Sequence, residues 1–167
     1  TGFSGYSIGG LSVGETKAEM YEMTRHLNPI GVGAPEDLLE NVINGVDMFD
    51  LPFNKPRYLM CVLPTRNARH GTALTTTGKV TIKNKQFERD MSSLDPNLQS
   101  SVSKYSKSYI RHLFKAEEQL GQRLVTIQNL AYLKHLMAEI RQAIKEDRLL
   151  DFKKEFYERT NYPKVSY

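Results

Sequence analysis

The sequence predicts an α/β fold built on parallel strands, and two patterns carry that prediction. Short apolar runs that suit strands lie at 46–50, 57–60 and 61–63. Longer stretches with apolar residues at helical spacing lie at 15–27 and 34–45. Alternation of strands with helices is typical of α/β proteins with parallel sheets.

The helix predicted at 34–45 has clear start and stop signals. Pro35 suits the first helical position, and the acidic residues Glu36 and Asp37 favour the positive end of the helix dipole. Gly45 is a good terminator. The apolar stripe consists of Leu38, Leu39, Val42 and Ile43.

A second part, 72–167, follows a first part at 1–71. It begins with a predicted hairpin at 72–87 and a polar, serine-rich loop at 92–103, and turns helical from about Ser106. Thr126 is predicted to cap a helix, and a final amphipathic helix is predicted at 146–158. The apolar stripe predicted for the helix after Thr126 consists of Leu130, Leu133, Met137, Ile140 and Ile144.

Composition is that of an ordinary globular chain, with 167 residues, 40% hydrophobic and 25% charged. The single cysteine, Cys61, excludes an internal disulfide framework. We expect no membrane span and no signal peptide, and therefore a cytoplasmic setting. The net charge of +4 is concentrated after residue 103. Such a basic part can meet nucleic-acid phosphates, although a solvated helical surface is the more common explanation.

Three stretches together match one family. They are 9–15; 55–60 with 31–33; and 47–50 with 61–71. In these stretches the chain resembles the tRNA-guanine transglycosylases, with further support from 106–113 and 140–144. The resemblance implies exchange of guanine for a 7-deazaguanine in the tRNA anticodon loop, a step of queuosine modification.

The resemblance also implies a fold. The family has a TIM-type (β/α)8 barrel with an inserted zinc-binding subdomain. Because such a barrel needs about 250 residues, this chain is expected to supply the C-terminal part. That part would comprise about the last three strands and a helical segment like the zinc subdomain.

Asp50 is implied to be the catalytic nucleophile. A carboxylate can trap the ribose C1′ covalently and divide base exchange into two easier steps. Asp50 also ends a predicted strand, where barrel active sites lie. Without the resemblance, a turn residue at the end of a strand is the simpler interpretation.

The incoming and leaving bases are implied to contact the glycine-rich turn. Gly10 and Leu11 would present backbone groups to the base, with Glu15 beside them. The valine at position 13 resembles the bacterial enzymes, which insert the queuine precursor, more than the animal enzymes, where a glycine is usual. The alternative for Glu15 is an acidic residue in the first turn of a helix, which is common.

Two further pairs complete the implied site. Tyr58 and Met60 would sandwich the purine, although both residue types also suit a barrel core. Arg66 and Arg69 would contact the anticodon loop, since sequence-specific RNA recognition usually targets single-stranded loops. Two arginines three residues apart are equally compatible with ordinary surface charge.

The order of segments departs from the family. Residues 51–60 stand between 47–50 and 61–71, which are continuous in the family. Moving this segment to between Ile30 and Gly31 restores the family order at both junctions. Either the order of these segments is an artefact, or the rearrangement is real. A real rearrangement would need a new connection between strands, so the artefact is the simpler interpretation.

The family's zinc ligands are also missing. Leu98, Ser100 and Ser103 stand at the spacing of the three cysteines, and Gln128 stands at the later histidine. A one-residue shift gives Asn97, Gln99 and Val102 instead. Neither set contains a thiolate, so we predict no metal. His112 and His135 are expected to pack or to face solvent, and Tyr105, Tyr109 and Leu113 to hold this segment by packing.

The family's N-terminal half has no counterpart in the chain, which leaves three interpretations open. The chain is part of an active transglycosylase, a non-catalytic tRNA-binding or partner subunit, or a fragment with no function of its own. A homo- or heterodimer is implied through the region of the zinc subdomain.

Overall fold

The computed structural model describes residues 34–46 and 64–163. They belong to two compact units, one containing 34–46 and the other formed by Pro64–Tyr162. The strands predicted in the first part, apart from Val46, and the helix at 15–27 lie outside the described residues. The described residues are a mixture of helix and strand, and the barrel itself is not among them.

The helix predicted at 34–45 is confirmed as α1, Pro35–Ile43, with a proline in its first turn. The turn at Gly45, which has a φ of +91°, ends it. Leu38 and Leu39 are buried as predicted, at 5% and 0% exposure. The acidic face is buried too, since Glu40 is 0% exposed.

The second unit contains a short helix, a hairpin and three further helices. Their bounds are α2 Pro64–Arg69, β1 Thr72–Thr75, β2 Gly78–Thr81, a 3-10 turn Lys85–Phe87, α3 Lys107–Lys115, α4 Gln119–Lys145 and α5 Leu149–Arg159. Helix α2, which the sequence analysis grouped with the first part, packs against α4 and β1 in this unit. No helix in the described part of the chain is both long and apolar enough to cross a membrane.

The predicted hairpin is confirmed over 72–81. Its strands are antiparallel, with Thr72 opposite Thr81 and Thr75 opposite Gly78. Gly78 has a φ of +121°, and a Cβ atom there would lie 2.0 Å from the Asn161 Oδ1 atom. The Asn161 carboxamide accepts from the Lys79 N–H at 2.8 Å and donates to the Lys79 carbonyl at 3.2 Å. Glycine is therefore needed where the C-terminal segment lies against β2.

The helical onset predicted near Ser106 is confirmed. The Ser106 hydroxyl accepts from the Tyr109 N–H at 3.1 Å and caps α3. The predicted cap at Thr126 is wrong, because α4 already begins at Gln119. Thr126 lies inside that helix, where its hydroxyl donates to the Gln122 carbonyl at 2.8 Å.

The predicted stripe of α4 is also wrong. Leu130 and Ile144 are 54% and 50% exposed, and of the predicted residues only Ile140 is fully buried. The buried face instead consists of Gly121, Leu124, Val125, Gln128, Asn129, Tyr132, Leu136, Ile140 and Ala143. A pattern based on apolar residues missed it because two members are carboxamides.

The final predicted helix is confirmed as α5, which lies against α4. Phe152 and Phe156 are its buried residues. The Phe156 ring stacks on Tyr162 at a centroid distance of 5.6 Å. The Arg159 guanidinium donates to both Glu139 carboxylate oxygens, at 2.9 and 2.6 Å. These hydrogen bonds raise the pKa of Arg159.

One apolar core joins α2, the hairpin, the serine-rich loop, α3 and α4. Its buried members are Ala68, Ala73, Ile82, Leu94, Val102, Ile110, Leu113, Leu124 and Val125. The second unit therefore has a hydrophobic core of its own, to which every one of these segments contributes.

Candidate functional site

Two of the predicted site residues, Arg66 and Arg69, lie among the described residues. Both side chains are exposed on α2. Residues three apart on a helix share one face, so the two guanidinium groups are presented together. The opposite side of α2 is anchored, since Pro64 and Ala68 are buried.

The other predicted site residues lie outside the described residues. They are Asp50, Gly10, Leu11, Val13, Glu15, Tyr58 and Met60. Their assigned roles remain predictions, as does the order of the segment 51–60.

The surface beside Arg69 carries both signs of charge. A shallow depression there is also lined by Lys83, Phe114, Glu117 and Glu118. The Lys83 ammonium lies 5.4 Å from the centroid of the Phe114 ring. An aromatic face, two cations and two carboxylates can support polar recognition, and the mixture does not form a uniformly basic groove.

A buried carboxamide fixes the position of α2. Asn129, 0% exposed on α4, donates to the carbonyls of Pro64 at 3.0 Å and Thr72 at 3.1 Å. Its Oδ1 atom accepts from the Leu74 N–H at 2.7 Å. One side chain thus ties the first residue of α2 and strand β1 to α4.

Sequence reasoning missed Asn129. The available signal was an asparagine in the middle of a long helix, where its intrinsic propensity is poor. Its partners are 55 to 65 residues away in the chain, so no local pattern indicates them.

Four positions correspond to the family's metal ligands and lie close together. They are Leu98, Ser100, Ser103 and Gln128. The Ser103 hydroxyl donates to the Leu98 carbonyl at 3.0 Å, and the Ser100 hydroxyl donates to the Gln128 Oε1 atom at 3.3 Å. The shifted set does not converge, since Gln99 is exposed while Val102 is buried in the core. We call Ser100, Ser103 and Gln128 with the Leu98 carbonyl the serine–glutamine cluster.

The residues in this cluster do not fit a structural zinc ion. Zinc sites use thiolates, imidazoles and carboxylates, and the cluster offers hydroxyls, a carboxamide and a carbonyl. Within the described ranges no group of three or more histidines, cysteines or acidic residues could hold a metal. His112 is exposed, as expected, whereas His135 is half-buried and lies 3.7 Å from Glu139.

A second exposed surface is aromatic. Tyr105 and Tyr109 stack at a centroid distance of 5.6 Å with an interplanar angle of 17°. Tyr109 is 41% exposed and Met91 is 77% exposed, and both line the same two adjoining depressions. We call Met91, Tyr105 and Tyr109 the aromatic surface. Leu113 lies in the core and Tyr105 packs against it, as predicted. Tyr109 packs on the Tyr105 ring and leaves its other side exposed.

The segment before α3 is held by an ion pair. The Lys107 ammonium lies 3.3 Å from the Asp90 carboxylate. The Ser92 hydroxyl and N–H both donate to Asp90, at 2.6 and 2.9 Å. These hydrogen bonds, with the smaller effect of Lys107, hold the pKa of Asp90 below its ordinary value. They tie residues 90–92 to the start of α3.

Comparison with known proteins supports the class indicated by the sequence. A family model described as queuine tRNA-ribosyltransferase matches residues 1–162. The chain therefore belongs to the queuine tRNA-ribosyltransferase family.

Individual relatives agree with this assignment. The chain is 49% identical to a queuine tRNA-ribosyltransferase of Macrococcus caseolyticus. It is 51% identical to the proteins of that name from Staphylococcus aureus strains JH9 and N315. Each alignment covers 93% of this chain and 41% of the relative, so the chain spans less than half the length of these relatives.

Replacing Asn129 tests its role in positioning α2. Asn129→Leu keeps the number and branching of the side-chain heavy atoms, but the Leu74 N–H and the Pro64 and Thr72 carbonyls lose their hydrogen bonds to this side chain. We expect the free energy of unfolding to fall by about 3 kcal/mol in urea denaturation, since each buried unsatisfied group costs about 1–3 kcal/mol. The control Asn84→Leu alters an exposed side chain that makes no capping bond, and equal losses in both variants would contradict the assignment.

Proposed function

We propose that this chain is the C-terminal part of a tRNA-guanine transglycosylase, which exchanges guanine for a 7-deazaguanine in the anticodon loop. The observation that supports this most directly is the family match over residues 1–162. The identity of about half to proteins named queuine tRNA-ribosyltransferase supports the same activity. A cytoplasmic setting remains a prediction.

In the proposed mechanism, Asp50 is the nucleophile. Its carboxylate attacks the ribose C1′ and forms a covalent bond as the bond to guanine N9 breaks. Guanine leaves with the electron pair and takes up a proton. The incoming 7-deazaguanine loses a proton, attacks C1′ and displaces the carboxylate, which regenerates the enzyme.

The remaining predicted residues would hold the base. Tyr58 and Met60 sandwich the purine, because a base taken out of its stack is recognised by stacking as well as by hydrogen bonds. Recognition of its edge is assigned to the glycine-rich turn, with Gly10, Leu11, Val13 and Glu15.

Arg66 and Arg69 are proposed to bind the anticodon loop. Both are exposed on one face of α2, and guanidinium groups bind phosphate oxygens through paired hydrogen bonds. The anchoring of α2 by Asn129 supports this role, because fixed cations lose less conformational freedom when RNA binds.

The second candidate function is a non-catalytic tRNA-binding or partner subunit of the same family. The serine–glutamine cluster favours it, since positions that correspond to metal ligands have diverged. Both candidates predict RNA binding, and only the first predicts covalent chemistry.

A covalent trapping assay separates the two candidates. The 167-residue chain is incubated with an anticodon stem-loop RNA and a 7-deazaguanine analogue. We expect a protein–RNA band that survives denaturation and disappears in Asp50→Asn, because an amide is a poor nucleophile. RNA binding without a band would indicate a non-catalytic subunit or an inactive fragment of the enzyme.

The arginine pair is tested by the salt dependence of RNA binding. Each phosphate contact to a single strand contributes about 0.7 to the slope of log K against log salt. We expect the slope to fall by about 1.4 in Arg66→Ala/Arg69→Ala, with binding weakened at low salt. The charge control is Arg141→Ala, which removes one exposed arginine on α4, and a loss of slope there half as large as in the double variant would argue for general attraction only.

Self-association is proposed through the aromatic surface. Met91 and Tyr109 are among the large hydrophobic residues that the described part of the chain exposes, and such adjoining side chains often mark interfaces. The occupant we propose is a second copy of the chain.

Sedimentation of single variants tests this interface. We expect a dimer that dissociates at least tenfold more readily in Met91→Lys or Tyr109→Lys, because a buried unpaired charge is costly. The control is Leu150→Lys on α5, where the leucine is 64% exposed. A chain that is monomeric at all concentrations would refute self-association through this surface.

A further inference from the structure

The serine–glutamine cluster uses its own hydrogen-bonding capacity. The Ser103 hydroxyl donates to the Leu98 carbonyl and accepts from the Ser100 N–H at 3.1 Å. The Ser100 hydroxyl donates to Gln128 and accepts from the Val102 N–H at 3.2 Å. Each hydroxyl is therefore both donor and acceptor within the protein.

The cluster also connects three parts of the second unit. Gln128, 1% exposed, lies on α4 and donates to the Leu74 carbonyl of β1 at 3.4 Å. Its Oε1 atom receives the Ser100 hydroxyl of the serine-rich loop. The loop is held from the other side by Leu98 and Val102, which are 6% and 0% exposed.

These connections are the ones that a bound metal would otherwise make between a loop and a helix. A structural metal contributes to folding by holding together ligands from segments that are distant in the chain. Ser100 and Gln128 are 28 residues apart, and their hydrogen bond closes the same loop between the same two elements.

We propose that the serine–glutamine cluster replaces a structural metal ion in this chain. The loop at 98–103 is closed by neutral hydrogen bonds of its own and is fixed to α4 by the Ser100–Gln128 hydrogen bond and by the burial of Leu98 and Val102. The second unit therefore reaches its full stability without zinc, and chelators do not destabilise it.

Metal content and chelation test the proposal on the unmodified 167-residue chain. It is purified in buffer with added Zn²⁺, desalted, and examined by mass spectrometry of metals and by thermal melting with and without EDTA. We expect less than 0.1 zinc per chain and a Tm unchanged by EDTA. One zinc per chain, or a Tm that EDTA lowers, would overturn the proposal.

A graft tests whether the four positions converge. The variant Leu98→Cys/Ser100→Cys/Ser103→Cys/Gln128→His carries a Cys3His set of the kind that zinc prefers. We expect one zinc per chain and a Tm that falls when EDTA is added. A variant that folds but takes up no zinc would refute the convergence on which the replacement depends.

Local opening of the loop provides a measurement that does not depend on the graft. In Ser100→Ala/Ser103→Ala, amide hydrogen exchange at Val102 and Ser103 is expected to accelerate at least tenfold, because the hydroxyls that hold the loop are gone. Ser101→Ala changes an exposed serine in the same loop and is expected to leave exchange unchanged. Equal rates in the double variant and the control would show that the cluster does not hold the loop.

Discussion

The second unit depends on one buried side chain, the carboxamide of Asn129. It satisfies a backbone N–H and two carbonyls that belong to α2 and β1. A leucine has the same branched shape, but it would leave those polar groups without this partner away from water, where an unpaired group is costly. The position of α2, and with it the direction in which Arg66 and Arg69 point, follows from this contact.

Polar contacts position the hairpin at more than one point. Gln128, the neighbour of Asn129, donates to the Leu74 carbonyl, so two successive residues of α4 bind both backbone groups of Leu74. The buried Asp95 accepts from the Thr76 N–H at 2.7 Å and from its hydroxyl at 2.8 Å. A two-stranded sheet is only marginally stable alone, and these contacts explain how this one is held.

Local signals explain which elements the sequence could predict. The start signals of α1 and α3 lie at Pro35 and Ser106, so α1 was predicted with nearly correct bounds and the start of α3 was predicted correctly. The buried face of α4 was wrong because Gln128 and Asn129 lie on it and their partners are far away in the chain. The exposure of Arg66 and Arg69 could be expected from their charge. The anchoring of α2 by Asn129 could not be expected from the sequence.

The buried carboxamides of α4, Gln128 and Asn129, also explain how the second unit can fold without a metal. Small domains need metals or disulfides mainly when they are too short, below about 40 residues, to bury an adequate core. Pro64–Tyr162 has a core to which α2, the hairpin, the loop and two helices all contribute. The serine-rich loop already contributes Leu94 and Val102 to that core. What remains for the loop is to satisfy its polar groups, and for that task two hydroxyls and one carboxamide suffice.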